Sequence, residues 1–386
     1  MKVALLTREF PPEVYGGAGV HVEYLSRELA GLVDVEVHCF GGERQAPSVH
    51  AYGPWQALDE APAAGPLQAM ATDLRMAANV SGAALVHSHT WYANLGGHLA
   101  KLLYDVPHVM TAHSLEPLRP WKAQQLGGGY AVSSFCERTA VEAADAVIAV
   151  SASMAGDVRR VYPAVDPGRV VVIHNGIDPA EYQPDPGTDV LERYGVAADR
   201  PTVIWIGRVT AQKGIAHLLD MASLLPAGTQ LVFLAGAADT AEISSDMSAR
   251  AVALAAERDG VHWIEAMLPR ADVVQLLSHA SVFVCPSVYE PFGLINLEAM
   301  ACCLPVVATA VGGIPEIVVE GVTGHLVPVP DGEVGLGAAL AGPVNALLAD
   351  PARGRDMGLA GRRRVLEHFS WRAIAERTCD LYSSLL

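Results

Sequence analysis

Short runs of β-branched and apolar residues recur along the whole chain, and segments of helical length and composition separate them. A strand covered on both faces reads as a continuous apolar run, so this alternation is the pattern of βαβ units with parallel sheets. In the first half it predicts strands at Val3 to Thr7, Val33 to Phe40, Ala84 to Ser88, His108 to Ala112, Ala146 to Ser151 and Val170 to His174. In the second half it predicts Thr202 to Gly207, Gln230 to Ala235, Val261 to Ile264, Ser281 to Pro286, Pro305 to Thr309 and Gly324 to Val327. The class is α/β, and each half has enough strands for a doubly wound sheet of its own. Between the halves, Asn175-Gly176-Ile177-Asp178-Pro179 and Gln183-Pro184-Asp185-Pro186-Gly187 suit a surface linker and place the boundary near 175 to 200. The segment Ala352 to Leu385 reads as helical, with Arg362-Arg363-Arg364 as a solvated face.

Composition narrows the class of function. At 386 residues and 51% hydrophobic content, the chain has room for two cores and is not a disordered protein. Lys and Arg number 26 against 42 Asp and Glu, a net charge of −16. Phosphate affinity in nucleic-acid binders comes from clustered cations, so this balance predicts no nucleic-acid partner. The N-terminus turns charged at Arg8 and Glu9, too early for a signal peptide, and no run of about 18 apolar residues exists. The expectation is a soluble cytoplasmic protein with no membrane partner. Six cysteines (Cys39, Cys136, Cys285, Cys302, Cys303 and Cys379) lie scattered, without C-x-x-C or zinc-site spacing, and read as reduced, mostly buried thiols.

Doubly wound sheets bind ligands beyond the carboxyl ends of their strands, and two such domains facing each other make a central cleft. Chemistry-bearing residues concentrate at those ends. After the first strand, Gly16-Gly17-Ala18-Gly19 leads into a helix predicted near Gly19, where backbone N–H groups suit a phosphate; Val22 fills the third glycine position, so the dinucleotide fingerprint fails. After the strand ending at Ala112 come His113, able to hydrogen-bond a sugar, and Arg119 and Lys122, able to hold a phosphate. After Ile206, Arg208 and Lys213 leave one short loop and suit a diphosphate leaving group. After Pro286, Glu290 and Glu298 lie eight positions apart, the first in a loop and the second on a helix beginning near Phe292 or Gly293. Glu290 can accept from sugar hydroxyls and Glu298 from both ribose hydroxyls.

The Glu290 to Glu298 stretch resembles the E-x7-E signature of retaining GT-B glycosyltransferases of the glycogen synthase-like family. Gly207-Arg208 with Lys213-Gly214, His174-Asn175-Gly176-Ile177-Asp178 and Gly312-Gly313-Ile314-Pro315-Glu316 fall where that family has its other motifs. Arg8-Glu9-Phe10-Pro11-Pro12 and the Ala112 to Gly129 stretch resemble its actinobacterial branch. The resemblance implies two Rossmann-like domains facing a central cleft. Residues 1–175 would form the acceptor-side domain, joined by a C-terminal helix of about 370–386 that packs back on it, and residues 176–369 the donor domain. It implies His113, Arg208, Lys213 and Glu290 as catalytic residues. Donor contacts would come from Gly16, Gly17, Arg208, Lys213, Glu290, Phe292, Gly293, Leu294 and Glu298, and acceptor contacts from Arg8, Arg119 and Lys122. Bacterial glycogen synthases carry Lys-Thr before the glycine loop; Val14 and Tyr15 stand here, leaving Arg8 or Arg119 to substitute.

The implied reaction moves α-glucose from ADP-glucose to glucose 1-phosphate, giving maltose 1-phosphate, with α-1,4-glucan as a second acceptor. No D-x-D triplet occurs, so the expectation is a metal-independent transferase without a cofactor, in which cations and helix N-termini offset the leaving charge. A homodimer is left open. The alternatives are a UDP- or GDP-sugar transferase acting on a lipid or small metabolite, and a nucleotide-sugar-binding regulator without catalysis. A dehydrogenase is disfavoured by the missing glycine.

Overall fold

In a computed structural model, residues 1–14, 16–61, 63–119, 128–238 and 240–386 are described. The chain divides into one unit of Met1–Gly176 with Trp371–Leu386 and another of Ile177–Ser370.

The first unit is built on a parallel sheet of β1 (Lys2–Thr7), β2 (Asp34–Phe40), β3 (Val49–Tyr52), β4 (Leu85–His89), β5 (His108–Ala112), β6 (Ala146–Ala149) and β7 (Val170–Val172). Their spatial order is β3-β2-β1-β4-β5-β6-β7. Successive side chains of a strand point to opposite faces, and β1 shows the result. Val3 and Leu5 join Leu25, Trp371 and Tyr382 in one core, while Ala4 and Leu6 join Met76, Ala93 and Ala100 in another. With each buried large apolar side chain contributing about 1.5–3 kcal/mol, both faces stabilise the sheet and both must be covered by helices. The short edge strand β3 escapes the sequence pattern because its four residues are mostly half-exposed.

The second unit's parallel sheet contains β8 (Thr202–Arg208), β9 (Gln230–Gly236), β10 (Val261–Ile264), β11 (Val282–Cys285), β12 (Val306–Thr309) and β13 (Gly324–Val327). Its order is β10-β9-β8-β11-β12-β13. Trp205, Phe233, Val284 and Leu340 belong to one continuous core.

Several expected boundaries move for local reasons. β4 ends at His89, one residue beyond the predicted Ser88. β6 stops at Ala149, because Ser151 Oγ accepts from Met154 N at 2.9 Å and starts the helix Ala152–Val161. The predicted helix Ala352 to Leu385 is two, Pro351–His368 and Trp371–Leu385; Phe369 leaves the first and its carbonyl accepts from Ile177 N at 2.8 Å. The reading of Arg362-Arg363-Arg364 as a solvated face is also corrected. Arg362 donates to the carbonyls of Tyr182 and Ala301, and Arg364 to those of Glu316 and Ile317. Only Arg363 is exposed, since a guanidinium's several donors satisfy carbonyls that helix and loop ends leave open. All six cysteines are free thiols, four of them buried.

In each sheet the chain reverses its direction of travel once, between β1 and β4 in the first and between β8 and β11 in the second. The ends of adjacent strands whose connections run to opposite sides leave a crevice there, the usual ligand position in such sheets.

Candidate active site

At the first reversal, Arg8 follows β1 while Thr90 and the helix Trp91–Tyr104 follow β4. The Arg8 guanidinium lies 3.9 Å from the centroid of the Tyr92 ring. Burial raises the Tyr92 phenol above its ordinary pKa; Arg8 and Arg119 oppose the rise and the Glu116 carboxylate adds to it, so two cations and one anion act on the phenol. Arg119 also donates to Ser114 Oγ at 3.1 Å. Lys122, the third expected acceptor contact, lies outside the described residues. Thr90 holds φ +64°, ψ 160°, a region that β-branched residues avoid. Neither Tyr92 nor Thr90 carries a motif; their position immediately after a strand is the one sequence signal that marks them.

The glycine loop differs from expectation. Its helix spans Gly17–Leu29 rather than starting near Gly19. Gly16 N donates to Glu9 Oε2 at 2.8 Å, so the amide expected to face a phosphate is held by a side chain only 8% exposed. A carboxylate at this end is stabilised by the helix dipole. The fit is tight, since a Cβ on Gly19 would lie 2.8 Å from Glu9 Cβ. Glu9 was not among the expected site residues.

His113, one residue past β5, joins a group of imidazoles. His113 Nε2 lies 3.1 Å from His89 Nδ1, and the His21 and His113 rings meet edge-on at 4.7 Å. His21 Nδ1 donates to Asn175 Oδ1 at 2.7 Å. His87 is held between the Tyr382 hydroxyl at 2.5 Å and Thr111 Oγ1 at 2.7 Å. Burial, reinforced by the neighbouring imidazoles, pushes His87, His89 and His113 well below the ordinary histidine range. His113 is therefore a neutral hydrogen-bonding group at physiological pH. The Nε2 atoms of His21 and His89 are buried without a partner among the described residues, and a sugar hydroxyl can supply one. The nitrogens of His21, His89 and His113 lie within 4.8 Å of one another, so this group has the composition to hold a metal ion.

At the second reversal, Arg208 ends β8 and Lys213 ends the short helical turn Ala211–Lys213, which Thr210 Oγ1 caps by accepting from Lys213 N at 3.2 Å. Lys213 Nζ donates to Glu290 Oε2 at 2.5 Å, and Ser287 Oγ donates to the same oxygen at 3.2 Å. Burial works to lower the Lys213 pKa, but the Glu290 carboxylate prevails and the net shift is upward, so the lysine stays charged. The sequence-predicted Arg208, Lys213 and Glu290 thus meet at one crevice, and Ser287 is a supporting residue it did not single out. The helix after Glu290 is Leu294–Ala301, with Gly293 at φ +102° before it. The Phe292 side chain is 2% exposed and packs at 6.2 Å from Phe369, which makes it core. Glu298 lies on that helix; burial lifts its carboxyl to about 7, against the opposing effects of a Tyr182 hydrogen bond and Arg270.

Two doubly wound parallel-sheet domains with charged groups after the strands at each sheet's reversal are the architecture of the GT-B glycosyltransferases. Residues 15–181 match the family described as Glycosyltransferase Family 4, and residues 189–364 match Glycosyl transferases group 1. The alpha-maltose-1-phosphate synthase of Mycolicibacterium smegmatis is 55% identical over 386 residues, 99% of each chain. That of Mycobacterium tuberculosis H37Rv is 53% identical over the same span and share. Among solved structures, sucrose-phosphate synthase from Thermosynechococcus elongatus superimposes with a TM-score of 0.79 at 26% identity, covering 100% of this chain and 98% of that one. The chain belongs to the glycosyltransferase family that contains the alpha-maltose-1-phosphate synthases. Among the described residues, no helix is long and apolar enough to cross a membrane.

Proposed function

We propose that the protein transfers α-glucose, with retention, from ADP-glucose to glucose 1-phosphate, giving maltose 1-phosphate and ADP, and that it also elongates α-1,4-glucan. The relatives from Mycolicibacterium smegmatis and Mycobacterium tuberculosis, matched over 99% of their length, are named alpha-maltose-1-phosphate synthases, which supports the product. The convergence of Arg8 and Arg119 on Tyr92 carries the acceptor reading, because two guanidiniums at one crevice suit the dianionic phosphate of a sugar phosphate.

In this reading Arg208 and Lys213 hold the donor diphosphate, and the charged lysine offsets the negative charge that develops as the bond from the glucose C1 to the diphosphate oxygen breaks. The acceptor hydroxyl bonds to C1 from the same face, and its proton passes to the departing phosphate oxygen. No side-chain nucleophile is required. Glu290, anchored by Lys213 and Ser287, accepts from donor-sugar hydroxyls, and Glu298 accepts from the ribose. Neutral His113 donates to the transferred glucose. The reaction needs no metal and no cofactor, the protein works in the cytoplasm, and a homodimer is compatible with it.

The test is a matrix of ADP-, UDP- and GDP-glucose against glucose 1-phosphate, glycogen and maltooligosaccharides, in the presence of a chelator. The expected result is fastest release of ADP with glucose 1-phosphate, with maltose 1-phosphate as product. Failure to release any nucleotide with any glucose acceptor would sink the proposal. Lys213→Ala and Glu290→Ala should each lower kcat about 10²–10³-fold, the range for loss of one group stabilising a transition-state charge, with far-UV circular dichroism unchanged.

A further inference from the structure

Glu36, His38 and His50 form a second polar cluster on β2 and β3, away from the carboxyl-end residues described above. Glu36 and His38 are two apart on β2 and share a face, and His50 is the direct register partner of His38 on β3. His38 Nε2 lies 3.9 Å from Glu36 Oε2, and His50 Nε2 lies 4.0 Å from Glu36 Oε1. The His38 and His50 rings stack with centroids 4.8 Å apart. Each residue offers one ligating atom, and the three lie within 4.8 Å of one another.

His38 is fully buried, yet its Nε2 has no hydrogen-bond partner among the described residues. Its other nitrogen, Nδ1, lies 2.8 Å from the Tyr52 hydroxyl. In the tautomer whose Nδ1–H donates to the Tyr52 hydroxyl, the Nε2 lone pair faces the Glu36 carboxylate. Nε2 is thus a buried acceptor aimed at a carboxylate, and a divalent cation can bond to both. A hydrogen-bonded Nδ1 behind a ligating Nε2 is also the usual outer support of a metal-bound histidine.

We propose that Glu36, His38 and His50 bind a divalent transition-metal ion of the Zn²⁺ type, with Tyr52 as the supporting residue. Two imidazoles and one carboxylate suit Zn²⁺, whereas Mg²⁺ and Ca²⁺ favour oxygen-rich sets. Three protein ligands leave a coordination position for water. Ligation at about 2.0–2.2 Å requires the side chains to close slightly on the ion. Lys2, at the start of the interior strand β1, pairs with Glu36 Oε1 at 2.8 Å, and the ion must displace it from that oxygen. Because β3 is an edge strand, the ion ties it to β2.

The test titrates the full chain with Zn²⁺ against a chromophoric chelator and follows Co²⁺ substitution by visible absorption. The expected result is one ion per chain at this site, with at least tenfold weaker binding in both His50→Ala and Glu36→Gln. Tyr52→Phe should weaken binding about 10–100-fold, as loss of an outer hydrogen bond does. His50 is exposed and Glu36 half-exposed, so these two variants keep the fold and the glucosyl-transfer rate. Absence of Zn²⁺ binding overturns the proposal. So does binding that is unchanged in both variants and lost instead in His21→Ala.

Discussion

Asp73 lies on the helix Ala64–Asn79 and is 1% exposed. Burial raises its carboxyl well above the ordinary value, and the Gly96 amide offsets only part of the shift. Because the folded pKa is the higher one, stability is full below the unfolded pKa and falls as pH rises toward the folded value. Asp73→Asn removes that loss. As pH rises above the ordinary carboxylate range the wild type should lose more stability than the variant; equal losses in urea titrations would refute this. Glu298, held at about 7 by burial, is a full acceptor only when ionised. Nucleotide affinity, measured by calorimetry with ADP, should therefore strengthen from pH 6 to 8 more in the wild type than in Glu298→Gln. At this scale Glu290, Glu298, Arg208 and Lys213 were legible because their charge types and strand-end positions are written locally. Glu9, Tyr92 and Ser287 were not, since each is defined by a partner in space.

Elements matter here through the backbones that seat these side chains. Gly312 has φ +54°, and a Cβ there would lie 1.8 Å from the Glu290 carbonyl oxygen. Next to it, Gly313 N donates to the same oxygen at 3.0 Å. The turn after β12 is thus the backing of the Glu290 loop, and only a residue without a side chain fits. Gly312→Ala should lower kcat at least about tenfold through displacement of Glu290, consistent with the sensitivity of catalysis to ångström-scale misplacement. A variant with normal turnover would show that the turn does not position Glu290. A comparable brace holds the loop after β5. Glu137 accepts from Glu116 N at 2.8 Å and from the Tyr162 hydroxyl at 2.5 Å, and burial lifts its carboxyl to about 8. The Gly312-Gly313 motif could be seen in the chain, but its purpose could not. The Glu116, Glu137 and Tyr162 brace left no local sign, since its members lie on separate elements.

For the whole molecule, the last sixteen residues matter more than their number suggests. Trp371, Ile374 and Tyr382 belong to the core of the first unit, and Trp371 stacks on Tyr24 at 5.7 Å. Three such side chains contribute on the order of 5–9 kcal/mol, comparable to the total stability of a domain. A chain ending at Ser370 should lose the cooperative unfolding of the first unit while the second keeps its own, a result readable by calorimetry and limited proteolysis. An unchanged first-unit transition would count against it. The Tyr382 hydroxyl also holds His87, which packs at 4.2 Å on His89, so the same truncation should disturb the histidine group beside His113. The net charge of −16 argued against a nucleic-acid partner, but it did not describe the local cations at Tyr92 and Glu290.

By itself the sequence determined the α/β class, nearly all the strands and the charged groups that follow them. Parallel strands buried on both faces leave apolar runs, and phosphate and sugar chemistry demands particular residue types at their ends. Tertiary structure alone decided that β1 neighbours β4 and β8 neighbours β11, that Glu9 takes the Gly16 amide, and that four histidines from three separate segments meet. Each of these is a pairing between residues distant along the chain, set by which surfaces must be covered and which buried polar atoms must find partners, and no local pattern encodes such a pairing.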